Sequence, residues 1–192
     1  KALREFIQNV GRPREILSDW GTEFFGHFSQ VCVDNYIRQV RSAPFSPFSN
    51  GIVERKNREL KGMIRSMVLE AGGHASWWAR AASYATHIHN RVYSSYTPQH
   101  TPYELMWGHR PDLSHIRVFG SVCYPLIVPS AKRDALKYPS SCGIFLGYAD
   151  NCPGAVVYDP QSNKLSIRRD VVVDEDWRAR RQDGSLTLHH VN

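Results

Sequence analysis

Paired metal-binding cysteines are missing from this sequence. Cys32, Cys123, Cys142 and Cys152 form no C-x-x-C unit, and no histidine pair stands at zinc-finger spacing. A finger-type zinc site is thereby excluded, and reduced thiols in a reducing compartment are the plain reading. No apolar run approaches the roughly 18 residues of a membrane span, so no membrane partner is expected. A signal peptide is also lacking: Lys1-Ala2-Leu3-Arg4-Glu5 reads like the middle of a helix, and the chain is expected to be cut from something longer. Internal repeats are absent. Acid is scarce relative to base, with 18 Asp and Glu against 24 Lys and Arg, a net charge of +6. That excess points to a polyanionic partner and says nothing about fold.

What is present is an ordinary globular composition, 42% hydrophobic over 192 residues, sufficient for one good core or two small ones. Leu3, Phe6, Ile7 and Val10 share a helical face that Gly11 and Pro13 end. Residues 14–19 read as a short strand stopping at Asp19, residues 22–35 as a helix with Phe24, Phe28 and Val31 inward, and Ile37–Val40 as another strand. Pro44, Pro47, Ser49, Asn50 and Gly51 form a loop. A long helix over about 51–70 follows, with Val53, Leu60, Ile64 and Met67 as its apolar stripe. Gly72-Gly73 stops it, and Ser76 can cap a further helix over about 77–93. Thr101-Pro102-Tyr103-Glu104 is a capping box with proline at the first helical position, so a short helix runs to Gly108.

After Pro111 the texture changes. Arg117–Phe119, Val122–Val128, Gly143–Tyr148, Ala155–Tyr158, Leu165–Arg168 and Val171–Val173 are short strand-like runs, expected to form a small antiparallel barrel or sandwich. Phe119, Tyr124, Ile144, Leu146 and Val157 are its expected core, and Asp159–Asn163 its clearest hairpin turn. The expected division is α/β over 1–111, all-β over 112–175, and a polar tail over 176–192.

Two acids stand out. Asp19 ends a strand and Glu54 enters a helix. Each has a bland explanation: Asp favours turns, and an acid in a first helical turn complements the helix dipole. Their setting is what singles them out. Glu54, Arg58, Lys61 and Arg65 are spaced 4, 3 and 4 apart on one polar face, with Arg55 and Lys56 bracketing the acid. A basic stripe with one acid at its end suits phosphate chemistry, in which cations neutralise a backbone and a carboxylate holds a metal against it.

The order of motifs resembles the integrase of copia-type long-terminal-repeat retrotransposons. The matching stretches are S-D-W-G-T-E-F (18–24), S-A-P-F-S-P-F-S-N-G-I-V-E-R-K-N-R (42–58), H-N-R (89–91), T-P-Y-E-L (101–105), H-I-R-V-F-G (115–120), I-F-L-G-Y (144–148) and Y-D-P…I-R-R-D-V (158–171). The resemblance implies an α/β, RNase H-like catalytic core, truncated at its N-terminus, followed by a small all-β SH3-like barrel. It implies a D, D, E triad holding two Mg²⁺ or Mn²⁺ ions, with Asp19 matching the second Asp and Glu54 the Glu. The reaction would be 3′-end processing of element cDNA and its joining to target DNA. Asn50, Arg55, Lys56, Arg58, Lys61 and Arg65 are the expected nucleic-acid contacts, and Asn57 fits the same pattern.

Double-stranded DNA and further copies of the chain are the implied partners, in the cytoplasm and then the nucleus. The sequence departs from the family pattern in places. The first Asp and the zinc module would lie upstream of Lys1, Trp20 replaces Asn, and Phe48-Ser49 replaces glutamine before N-G. The segment by itself is therefore expected to be inactive. The alternative is a non-catalytic DNA-binding or assembly module from a degenerate or domesticated element, and an RNase H-like nuclease without joining activity is a third reading. Trp77 and Trp78 are expected in the core, and His87 and His89 packed or at the surface. Lys132, Arg133, Lys137, Arg168 and Arg169 are further candidate phosphate contacts.

Overall fold

The structure, a computed structural model, describes residues 2–42, 51–72, 75–94, 97–126, 142–150, 152–182 and 185–190. Two compact units divide the chain, Lys1–Asn57 and Arg58–Asn192.

The first unit is built on a β-α-β crossover. β1 (Glu15–Ser18) and β2 (Arg38–Arg41) pair in parallel, with Glu15 opposite Arg38 and Ser18 opposite Arg41. Parallel neighbours cannot be joined by a tight hairpin, and the connection here carries α2 (His27–Asp34). Val31, Cys32 and Ile37 are buried. Gln39 ties the layers together: its amide donates to the Phe24 carbonyl at 2.9 Å, and its Oε1 accepts from the Ser29 hydroxyl at 2.9 Å. The single helix expected over 22–35 is split. A 3₁₀ turn, Thr22–Phe24, precedes α2, because Gly26 at φ +56° breaks the helical path between them. α1 (Ala2–Asn9) precedes this crossover, and Gly11 at φ +113° follows it.

α3 (Gly51–Glu70) runs across the division between the units. Ile64 is buried and Leu60 and Met67 are half-buried, as the apolar stripe requires, but Val53 is 56% exposed. The stripe is an inward face only over the helix's later turns.

The second unit holds a six-stranded antiparallel sheet in the order β6-β5-β4-β3-β7-β8. Its strands are β3 (Ser121–Pro125), β4 (Gly143–Tyr148), β5 (Ala155–Asp159), β6 (Lys164–Arg168), β7 (Val171–Gln182) and β8 (Ser185–His190). α4 (Trp78–His89) packs against β4. One core joins them: Ile64, Trp77, Ala81, Tyr84 and Ala85 from the helical part meet Phe119, Cys123, Ile144, Phe145, Leu146 and Val157 from the sheet. Small residues allow close approach at two points. A Cβ on Gly120 would stand 2.3 Å from the Ala71 Cβ, and Gly147, at φ +95°, faces the Tyr84 ring.

Several expectations shift here. Arg117–Phe119 is not a strand. Its backbone is held by side chains instead, the Tyr84 hydroxyl accepting from Arg117 N at 3.0 Å and Glu175 Oε1 accepting from Val118 N at 2.6 Å. The polar stretch after 176 is not a tail, since β7 and β8 pair from Trp177–His190 to Gln182–Ser185. Tyr124 is 38% exposed rather than core, whereas Phe119, Ile144, Leu146 and Val157 are buried as expected. Trp77 is buried while Trp78 is 59% exposed. Ser76 does not cap α4, whose N-cap position is Trp77 with no side-chain cap bond. The capping box of α5 (Pro102–Trp107) forms as expected: the Thr101 side chain accepts from Glu104 N at 3.1 Å, Glu104 accepts from Thr101 N at 2.6 Å, and Gly108 closes the helix at φ +75°.

Candidate carboxylate pair and basic helix

Asp19 follows the last residue of β1 and is exposed. Ser18 is buried, and its carbonyl accepts from Ser42 N at 2.9 Å, so β-type bonding ends just where the carboxylate emerges. The Asp19 side chain turns on its own backbone, Oδ1 accepting from Gly21 N at 3.1 Å. This is the local bond expected of Asp at a turn, and it leaves oxygen lone pairs for another partner. Glu54 lies exposed in the first turn of α3. Both carboxylates belong to the first unit.

Arg58, Lys61 and Arg65 are exposed on the part of α3 that belongs to the second unit. Because residues 51–70 are helical throughout, their spacing does set them along one side of the helix. Arg55 is exposed and Lys56 half-buried on the preceding turn. Asn50 lies outside the described residues, as do Lys132, Arg133 and Lys137.

As metal ligands, Asp19 and Glu54 are right in kind: carboxylate oxygens are the donors a hard divalent cation takes. They are few in number. Among the described residues no three His, Cys, Asp or Glu side chains gather into a cluster.

Two arrangements had no clear sequence signal. Arg41, at the end of β2, lies over Trp20 and Phe25, its guanidinium carbon 5.1 Å and 4.2 Å from the two ring centroids. In the second unit, His87 Nε2 stands 3.2 Å from His115 Nε2. Burial, then the Arg91 and His115 charges, pulls the His87 pKa down to about 4, so its imidazole is neutral. The pair is a packing contact joining α4 to the segment before β3, in keeping with the packed role expected of His87; His89 is buried as well. Cys123 is likewise inert, its thiol pushed up to about 12 by burial.

Residues 121–185 match the family described as the retroviral polymerase SH3-like domain. Over 170 residues, 88% of this chain, the sequence is 32% identical to a retrovirus-related Pol polyprotein from transposon TNT 1-94 of Nicotiana tabacum. It is 29% identical over 162 residues, 83% of the chain, to the corresponding polyprotein from transposon RE1 of Arabidopsis thaliana. The chain spans 13% and 11% of the length of these two relatives. Among solved structures it resembles a chain of the simian T-cell lymphotropic virus intasome in complex with a PP2A regulatory subunit, with 21% identity, a TM-score of 0.49, and coverage of 86% of this chain and 59% of that one.

The chain belongs to the retrovirus-related Pol polyproteins of plant copia-type transposons. The matched SH3-like domain covers strands β3 to β7 of the sheet, and the β1-α2-β2 crossover gives the part before it an α/β character. Among the described residues no helix is long and apolar enough to cross a membrane.

Proposed function

We propose that this segment works within a D, D, E-type polynucleotidyl transferase that trims the 3′ ends of element cDNA and joins them to target DNA. The observation that carries the reading is that Asp19, just past a strand end, and Glu54, in the first turn of α3, are both exposed carboxylates of the first unit, and that the later turns of α3 bear exposed Arg58, Lys61 and Arg65. Asp19 and Glu54 are the proposed catalytic residues and ligands for Mg²⁺ or Mn²⁺. When bound, the cations would polarise the scissile phosphate and activate the attacking water or 3′-hydroxyl. Arg55, Lys56, Arg58, Lys61 and Arg65 would neutralise phosphates of double-stranded DNA and hold its end in register.

The modules are proposed as a core through residue 111 and a β module from 112, acting as a homo-oligomer on DNA, with the parent protein reaching the nucleus. Two carboxylates alone are too few for a metal pair, so the 192-residue segment by itself is proposed to be inactive. The second reading is a DNA-binding or assembly module without catalysis, resting on the exposed Arg58, Lys61 and Arg65 of α3 alone.

The test is Asp19→Asn and Glu54→Gln in the complete integrase with Mn²⁺. Each should abolish end processing and strand transfer with folding intact, since both side chains are exposed and outside the core. DNA affinity should hold or rise slightly with the loss of a negative charge. Near-normal strand transfer by Glu54→Gln would refute the catalytic assignment and leave the second reading.

A further inference from the structure

Trp20 follows Asp19 directly, yet the proposed chemistry gives it no task. It is 52% exposed, a large apolar surface to leave in water. It is also pinned. Its indole N–H donates to the Ser42 carbonyl at 2.8 Å. The Arg41 guanidinium lies over its ring, and Phe25, itself 38% exposed, stands at 6.3 Å with the rings tilted by 41°. Arg41 at the same time covers Phe25 at 4.2 Å. An indole held at its N–H edge, with a cation over the ring and an aromatic neighbour, has lost its rotamer freedom before any ligand arrives. A ligand stacking on its open surface therefore meets little further ordering cost.

A braced, half-exposed indole with a guanidinium over its ring offers a nucleobase the ring surface left in solvent and offers its phosphate the nearby cation. The proposed reaction supplies such a base. Trimming nucleotides from one 3′ end leaves the opposite strand with an unpaired 5′ overhang, produced where Asp19 acts. Resting on that functional reading, we propose that Trp20, braced by Arg41 and Phe25, is a stacking platform for an unpaired nucleobase at the DNA end.

The test uses the 192-residue chain and two duplexes of one sequence, one blunt and one with a two-nucleotide 5′ overhang carrying 2-aminopurine. Affinities are read by anisotropy from a dye at the far end of each duplex. The parent should bind the overhang duplex about five-fold or more tightly than the blunt one, the lower end of what one base–aromatic stack contributes. It should also quench the 2-aminopurine. Trp20→Ala should lose both the preference and the quenching while keeping the parent's affinity for blunt duplex. Trp20→Tyr, which keeps a stacking face, should retain the preference. If the parent binds both duplexes equally, or if Trp20→Ala keeps the preference, the platform is refuted and the DNA-binding reading stands. If the parent binds neither duplex, both fall. Circular dichroism of each variant confirms that lost preference is not lost fold.

Discussion

Tyr84 shows how much one side chain fastens in the second unit. It is 2% exposed, and its hydroxyl donates to the Arg117 carbonyl and accepts from Arg117 N. Burial pushes its pKa up to about 12. Tyr84→Phe would leave both backbone groups of Arg117 short of a partner in a part-buried site. The expected loss is about 1–3 kcal/mol of unfolding free energy, read from urea denaturation at neutral pH. An unchanged urea midpoint would show that water replaces the hydroxyl without penalty.

His87, stacked near the Tyr84 ring, gives the acid-side counterpart. Its folded pKa of about 4 lies below the ordinary histidine value of 6.5. Below pH 6.5 the unfolded chain takes up a proton that the folded imidazole refuses. The contribution is therefore fully present above 6.5 and lost as pH falls toward 4. His87→Leu should flatten this part of the profile, so that parent and variant urea midpoints diverge between pH 7 and 4. Parallel curves would mean that His87 titrates normally in the folded protein.

At the scale of elements, α3 carries the clearest functional expectation. Replacing Arg58, Lys61 and Arg65 with Ala should weaken duplex binding and reduce the log–log salt slope by about 2–3 units, at roughly 0.9 per phosphate contact. Equal slopes for variant and parent would show that the three cations meet only solvent. Elements whose signal is local were legible in the sequence. The capping box at Thr101 and Glu104 and the Asp159–Asn163 turn are set by side chains bonding to nearby backbone, and both form. Elements fixed by distant partners were not. Arg117–Phe119 has strand-forming residues, but Tyr84 and Glu175 take its backbone groups. Strand β8 and the end of β7 are polar in sequence and form through their mutual register. Asp19 and Glu54 could be singled out because strand ends and first helical turns are local features, whereas the Arg41–Trp20–Phe25 stack depends on β1 and β2 lying side by side.

The whole molecule raises the question of where the chain can be cut. Sequence texture changes near residue 111, from helical periodicity to short strands. Packing does not pause there: Trp77, Ala81, Tyr84 and Ala85 are buried in the same core as Ile144, Phe145, Leu146 and Val157. A chain ending at residue 111 would lose the sheet and expose the inner face of α4, including the Trp77 ring packed against Tyr158 and the Tyr84 ring packed against Phe145. Each such side chain forfeits about 1.5–3 kcal/mol of burial, so a few of them outweigh the marginal stability of a small domain. The first unit's β1-α2-β2 crossover has its own buried residues, Val31, Cys32 and Ile37, and the cut leaves those contacts untouched. The 1–111 chain should therefore show reduced helicity by circular dichroism, bind a hydrophobic dye and aggregate, while amides of the β1–β2 pair exchange no faster than in the full chain. A soluble, cooperatively unfolding 1–111 fragment with native helicity would show that α4 stands without the sheet, and that the change of texture at 111 is a boundary of folding as well as of sequence.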